Sequence, residues 1–223
     1  MKAYFIGHDN QIDEFKNHHG NALEIITSNQ FDHAELTQIN ICDIFIHAYA
    51  DDLTDLSWLA QIKVSVLLNA VKKKLKDLMS SIQLNSNAAG INYLPTFIKR
   101  NVLELSFYGE VNPGVELFAS TVNCKILKVD DKPGMVTPAI ICMLINESSF
   151  LLEDQTASIV DIDHAMKLGT AYPFGPLEWA DKIGISNVVD VLNSMKNSDQ
   201  TKRYEISGLL TEMSKTQKLF YKP

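Results

Sequence analysis

Two places in this chain carry polar residues where an α/β protein does its chemistry. The first is the turn Gly7-His8-Asp9-Asn10-Gln11-Ile12, which follows an apolar run at residues 2–7. A loop that cradles a pyrophosphate here wants the spacing G-x-G-x-x-G. The first glycine makes the tight turn, the second lets backbone approach the phosphates, and the third lets helix pack on strand. Only Gly7 meets that spacing, and His8 and Asp9 follow it. Asp9 stands where the second glycine belongs, and a carboxylate beside a diphosphate is repelled unless a cation intervenes. After the second apolar run, at residues 22–27, Thr27-Ser28-Asn29 supplies no carboxylate for a ribose hydroxyl. The second place is His47, which ends the apolar run 42–48. This is the sheet edge where α/β proteins bind ligands. An imidazole there serves as a base, or it is a buried ring bonded to backbone.

The other polar candidates are weaker. Asn146 lies in a helix at residues 138–154 that is apolar nearly all round, so it belongs to a core or an interface. A buried amide must be hydrogen-bonded; it either holds a substrate oxygen or ties two elements together. His8, His18 and His19 have no cysteine or carboxylate at ligand spacing, and no metal site is expected. Cys42, Cys124 and Cys142 are odd in number and lack the Cys-x-x-Cys spacing. Neither a disulfide framework nor a zinc site follows, and a reducing cytoplasm fits. The net charge of −7 argues against a nucleic-acid or anionic membrane surface. The apolar run near the N-terminus is too short for a secretory leader, and the run 139–145 is too short to span a bilayer.

Several elements must position these residues. The apolar runs 2–7, 22–27, 42–48 and 64–69 read as strands, with helical stretches at 11–18, 53–61 and 71–81. Alternation of this kind implies a parallel α/β sheet. The final third reads as helices. Ser158 and Asp161 have the spacing of an N-cap and its N3 acid. Gly169 stands where a left-handed C-cap wants glycine. Pro173, Gly175 and Pro176 make a stiff elbow, Pro176 opens a second helix, and Gly184 closes it. Ser186 and Ser207 are set to cap two more helices.

The order of these residues carries a resemblance. Asp161-Ile162-Asp163, Ala165-Met166-Lys167-Leu168-Gly169, Tyr172-Pro173-Phe174-Gly175-Pro176-Leu177-Glu178 and Ala180-Asp181-Lys182-Ile183-Gly184 closely resemble the C-terminal domain of the 3-hydroxyacyl-CoA dehydrogenases. Upstream, Asp131-Lys132-Pro133-Gly134 and Asn146-Glu147 are similar to that family's K-P-G-F and N-E-A segments. Downstream, residues 215–221 are similar to its closing K-T-G-K-G-F-Y. The resemblance implies a shortened Rossmann-like parallel-sheet domain at residues 1–122, followed by an all-α dimerisation domain at 123–223. It implies NAD as cofactor, an acyl-CoA ligand and a homodimer through the helical domain.

It also implies catalytic roles. In the family a histidine takes the hydroxyl proton while hydride leaves for NAD, and a glutamate holds that histidine. Residues 106–109 match the histidine's segment, so Ser106 stands in the place of the base. The glutamate's place falls at Ala119. Asn146 is the surviving amide, and residues 84–87 are nearest to the family's serine run. The lysines at 72–76 read as a solvated helix face, or as a landing strip for CoA phosphates. With both the cofactor turn and the His–Glu dyad altered, a degenerate member is expected, inactive or nearly so. The alternatives are an active enzyme using an unorthodox base such as His47, and a dimeric interaction module.

Overall fold

A computed structural model describes residues 1–80, 88–107, 112–199 and 204–221 of the chain. The chain divides into two units, Met1–Met135 and Val136–Pro223.

Unit one is built on seven strands. They are β1 (Lys2–Ile6), β2 (Glu24–Ser28), β3 (Ile44–His47), β4 (Ser65–Asn69), β5 (Ala88–Ile91), β6 (Val102–Phe107) and β7 (Lys125–Lys128). Their order across the sheet is β2-β1-β3-β4-β5-β6-β7. Every neighbouring pair is parallel except β5 with β6. The central strands β1, β3 and β4 are almost wholly buried. That is why they read in sequence as unbroken apolar runs instead of alternating ones. Helices α1 (Asp9–His19), α2 (Leu36–Asn40), α3 (Leu75–Ser80) and α4 (Pro113–Thr121) connect them. The core on one face gathers Phe5, Phe15, Tyr93, Leu105 and Phe118, with Phe5 and Phe15 stacked at 4.3 Å.

Three expectations change here. The junction between units lies after Met135, not after residue 122, because β7 pairs with β6 in register Val102↔Lys125 to Leu105↔Lys128. The stretch 53–61 is not an α-helix; Ser57–Gln61 forms a 3-10 turn. The lysine run is not a solvated helix face. Lys72 is buried and its Nζ lies 2.5 Å from Asp52, while Lys73 Nζ donates to Leu53 O at 2.9 Å. The helix starts only at Leu75, where Asp131 accepts from the Leu75 and Lys76 amides at 2.6 and 2.9 Å. An acid at that place satisfies orphan donors of the first turn.

Unit two is helical: α5 (Thr137–Glu153), α6 (Ile159–Thr170), α7 (Pro176–Ile183), α8 (Ile185–Ser198) and α9 (Gly208–Thr216). Helix α5 packs against α7, α8 and α9. Ser158 Oγ caps α6 by accepting from Asp161 N at 3.2 Å, and Ser207 Oγ caps α9 by accepting from Leu210 N at 3.2 Å. Gly184, at φ +92°, joins α7 to α8, a backbone conformation that glycine adopts at no steric cost. It also takes the N-cap place expected of Ser186. Gly169 is not the C-cap of α6. The helix runs on to Thr170, whose Oγ1 donates to Met166 O at 2.6 Å, and Ala171 takes the left-handed position at φ 55°. Among the described residues no helix is long and apolar enough to cross a membrane.

Candidate functional site

The strand order reverses between β1 and β3, and the crevice at the carboxyl ends of these strands is where such sheets bind ligands. Ile6 and His47 are register partners there, and the Ala48 amide donates to Ile6 O at 2.8 Å. Gly7 does not open space for phosphates. A Cβ on it would come 2.5 Å from Phe5 Cε1, so glycine here serves the packing of the Phe5 ring. His8 is the N-cap residue of α1, and its amide donates to Gln11 Oε1 at 3.0 Å. Gln11 Nε2 in turn donates to Ala48 O at 3.0 Å and Tyr93 O at 2.8 Å. One buried amide thus ties the start of α1 to the ends of β3 and β5.

Other side chains in the crevice bind each other. The His8 ring stacks on Tyr49 at 4.5 Å and 15°. Tyr49 Oη donates to Asn29 O at 2.7 Å, and Asn29 Nδ2 donates to Asp9 Oδ1 at 2.6 Å. The loops after β1, β2 and β3 are therefore joined across the place a dinucleotide would lie. Asp9 keeps its carboxylate in that place. His47 is 0% exposed, boxed by Phe45, Tyr49 and Trp58, and neither ring nitrogen has a hydrogen-bond partner among the described residues. Burial, with a smaller contribution from His8, lowers its pKa to about 3. Such a ring is neutral near pH 7, closed to solvent and a poor proton acceptor. The expectation that it is bonded to backbone is not met either.

The expected catalytic positions are each buried within their own unit. Ser106 lies within β6, 0% exposed, and its Oγ has no partner among the described residues. It fills the space that a Cβ on Gly90 would take, at 2.3 Å. Its neighbours at 108–111 and the serine-run match at 84–87 lie outside the described residues. Ala119 is buried in α4. Asn146 is 1% exposed; its Nδ2 donates to Glu205 O at 2.7 Å and its Oδ1 accepts from Ser207 N at 2.9 Å. Of its two readings, the structural amide is the one the geometry gives: it holds the turn that caps α9. Asn146→Ala is expected to lower the stability of the helical unit by about 2 kcal/mol, since it strands two buried backbone groups. Denaturant unfolding measures this.

Sequence reasoning missed Asp51. It is 2% exposed and accepts from Asn69 Nδ2, Val71 N and Lys72 N, each at 2.8 Å. Asn69 Oδ1 accepts from Tyr93 N at 2.8 Å, so one chain of bonds braces the carboxyl ends of the central strands. Burial raises the Asp51 pKa to about 6, against the lowering effect of its hydrogen bonds. No local pattern marks this residue, because its donors lie some twenty positions away.

In the helical unit the motif residues have mechanical roles. Asp163 is buried and accepts from the Leu177 and Glu178 amides at 2.8 and 2.9 Å, which caps α7. It also accepts from Tyr221 Oη at 2.8 Å. Gly175 is required beside it, since a Cβ there would come 2.2 Å from Asp163 Cγ. Asp181 accepts from the Phe220 and Tyr221 amides at 2.9 and 2.8 Å. A groove of about 530 Å³ lies over these groups. The charges in it pair with one another, Lys167 and Lys182 both with Glu178 at 3.3 and 3.7 Å. Among the described residues no group of three or more His, Cys, Asp or Glu is placed to hold a metal ion.

A parallel-dominated sheet of Rossmann type followed by a helical unit defines the dehydrogenase architecture that the C-terminal motifs resemble. Residues 134–222 match the family model of the 3-hydroxyacyl-CoA dehydrogenase C-terminal domain. Over these residues the chain is similar to the 3-hydroxyacyl-CoA dehydrogenase family. It is 36% identical over 87 residues to a 3-hydroxyadipyl-CoA dehydrogenase of Escherichia coli, covering 39% of this chain and 18% of that one. It is 33% identical over 101 residues to a 3-hydroxybutyryl-CoA dehydrogenase of Clostridioides difficile, covering 45% and 36%. The matches thus span well under half the length of these relatives. The fold is similar to that of FadB2 from M. tuberculosis, with a TM-score of 0.77 at 15% identity over 99% of this chain and 98% of that one. It is also similar to (S)-3-hydroxybutyryl-CoA dehydrogenase PaaH1 from Ralstonia eutropha, with a TM-score of 0.73 at 20% identity over 98% and 94%.

Proposed function

We propose that this 3-hydroxyacyl-CoA dehydrogenase-like chain has weak or no NAD-dependent oxidation of 3-hydroxyacyl-CoA. The observation that carries this reading is the filled switch-point crevice, where Asp9, Asn29, His8 and Tyr49 contact each other. The residues present do not fit a dinucleotide. The carboxylate of Asp9 would face its diphosphate, and no glycine lets backbone approach it. Ser106 supports the same reading. A buried hydroxyl with no hydrogen-bond partner among the described residues does not take a proton from an alcohol near neutral pH. The ligand left under this reading is an acyl-CoA or a protein partner. The alternative, an active enzyme with His47 as base, has against it an imidazole that is fully buried and weakly basic.

Titrating NADH into the full chain while following fluorescence or heat tests this. The expected result is no saturable binding up to millimolar NADH and no NAD reduction with 3-hydroxybutyryl-CoA. Saturable binding in the micromolar range overturns the reading. Ser106→His combined with Ala119→Glu is expected to leave the chain inactive, because the crevice stays filled; measurable turnover in the double variant defeats the cofactor argument.

A second reading, a dimeric interaction module, is favoured by one observation. Val136, at the start of α5, and Ile140 and Leu151 on the helix itself are 45, 56 and 44% exposed. Apolar side chains of that size on one element suit an interface with a second copy. Sedimentation of the full chain at micromolar concentration is expected to give a dimer that Ile140→Glu weakens; a monomer defeats this reading.

A further inference from the structure

The loops after β1, β2 and β3 meet at one side chain. The Tyr49 ring lies flat on His8, at 4.5 Å and 15°, and edge-on to His47, at 4.6 Å and 80°. It is therefore held between two imidazoles, one exposed and one buried. The buried one is peculiar. His47 has two polar side-chain atoms, both without a partner among the described residues, inside a box whose other walls are Phe45 and Trp58. Folded proteins satisfy nearly all buried polar atoms, and an exception calls for a reason. Tyr49 covers His47 but gives it no hydrogen bond, because its hydroxyl reaches to Asn29 O.

Among the described residues two side-chain hydrogen bonds secure that cover: Tyr49 to Asn29, and Asn29 to Asp9. Asn29 and Asp9 are exposed, so both bonds exchange readily with water and the cover is held from the low-stability end of the structure. Behind it stands a donor–acceptor pair in an aromatic wall, at the end of β3 beside the crevice where sheets of this kind take ligands. We propose that Tyr49 plugs a slot for a planar, uncharged heteroaromatic ring between His8 and His47, a ring that stacks on His8 and bonds one nitrogen of His47. The ring is uncharged because Asp9 would repel a phosphate beside it. This rests on the reading above, that the crevice takes no dinucleotide, and adds what the crevice does take when Tyr49 leaves.

The test uses the full chain, adenosine as the uncharged probe, and the histidine ring signals in an NMR titration. Tyr49→Ala is expected to bind adenosine about tenfold more tightly than the parent chain, one decade in Kd. Only the His8 and His47 rings should shift, while His19, buried against Phe15 and Phe118, stays put. Equal affinity in both chains, no binding to a folded Tyr49→Ala, or movement of His19 overturns the proposal. If Tyr49→Ala does not fold, Tyr49→Phe keeps the ring and loses the Asn29 bond. His47 in that variant should be modified by diethyl pyrocarbonate several-fold faster than in the parent chain, and an unchanged rate overturns the proposal. The two readings fail separately. Saturable NADH binding by the parent chain defeats the proposed function. Equal adenosine binding with no NADH binding defeats only the plug.

Discussion

Asp163→Ala is expected to unfold the helical unit at a temperature well below the parent chain. The carboxylate meets three donors: two amides at the start of α7 and the hydroxyl of Tyr221. Removing the acceptor leaves buried or half-buried donors unsatisfied at about 1–3 kcal/mol each. It also leaves a gap against Gly175. A loss on the order of 4 kcal/mol or more follows, a large share of the stability of an ordinary domain. Tyr221→Phe removes one of the three bonds and is expected to cost about 1 kcal/mol. Gly175→Ala approaches the same fault from the other side, since its Cβ and the Asp163 carboxyl cannot share the space. Asp161→Ala, two positions away and exposed, is the control and should cost under about 1 kcal/mol. Circular dichroism melts compare the four. If Asp163→Ala melted like Asp161→Ala, the buried carboxylate would not be what joins α6, α7 and the closing segment.

The second large effect is on pH. Burial, aided by His18, lowers the His19 pKa to about 4 against the partial opposition of a backbone bond, and burial with His8 lowers His47 to about 3. A histidine whose pKa is depressed by folding favours the unfolded chain once that chain can take a proton. Stability is therefore full above the ordinary pKa near 6.5 and is lost as pH falls from there toward 4. Each ring contributes a loss of about 1.4 kcal/mol per pH unit in that window. Asp51 acts in the other direction. Its pKa is raised to about 6, so its neutral form belongs to the fold, and acidification from 6 to about 4 stabilises by a similar slope. Two losses against one gain leave a net loss of about 1.4 kcal/mol per unit between pH 6 and pH 4. Urea unfolding at pH 7, 6, 5 and 4 reads this directly. His47→Phe should remove one of the two losses and leave the curve nearly level below pH 6. A parent curve flat from 7 to 4 would mean that these rings are not held neutral.

Much of the frame is legible in the sequence, and the reasons differ by region. The runs at 2–7, 22–27, 42–48 and 64–69 stand within two residues of β1 to β4. β1, β3 and β4, buried along almost their whole length, leave an unbroken apolar trace. β5 leaves none, because Ala88, Ala89 and Gly90 are small; Ser106 fills the space over Gly90. β7 is an edge strand, Lys125-Ile126-Leu127-Lys128, too polar to read as core, and missing it shifted the expected junction to residue 122. The helix caps at Ser158, Ser207 and Gly184 were legible because capping is local. The contents of the crevice were not. Gly7, His8, Asp9 and His47 mark the right place, but Tyr49, Asn29 and Gln11 are what close it. Their contacts span some twenty to eighty residues of chain, and nothing in their spacing announces them.

The bond set around Asp163 and Asp181 has a consequence for how such a chain is recognised. The residues that make the C-terminal half so readily assigned hold helices and the closing segment together. Asp163, Gly175, Asp181 and Tyr221 form a closed mechanical unit within residues 163–221. A chain can therefore carry the signature of that C-terminal domain whatever its first domain binds. The signature certifies the chassis and is silent about the engine.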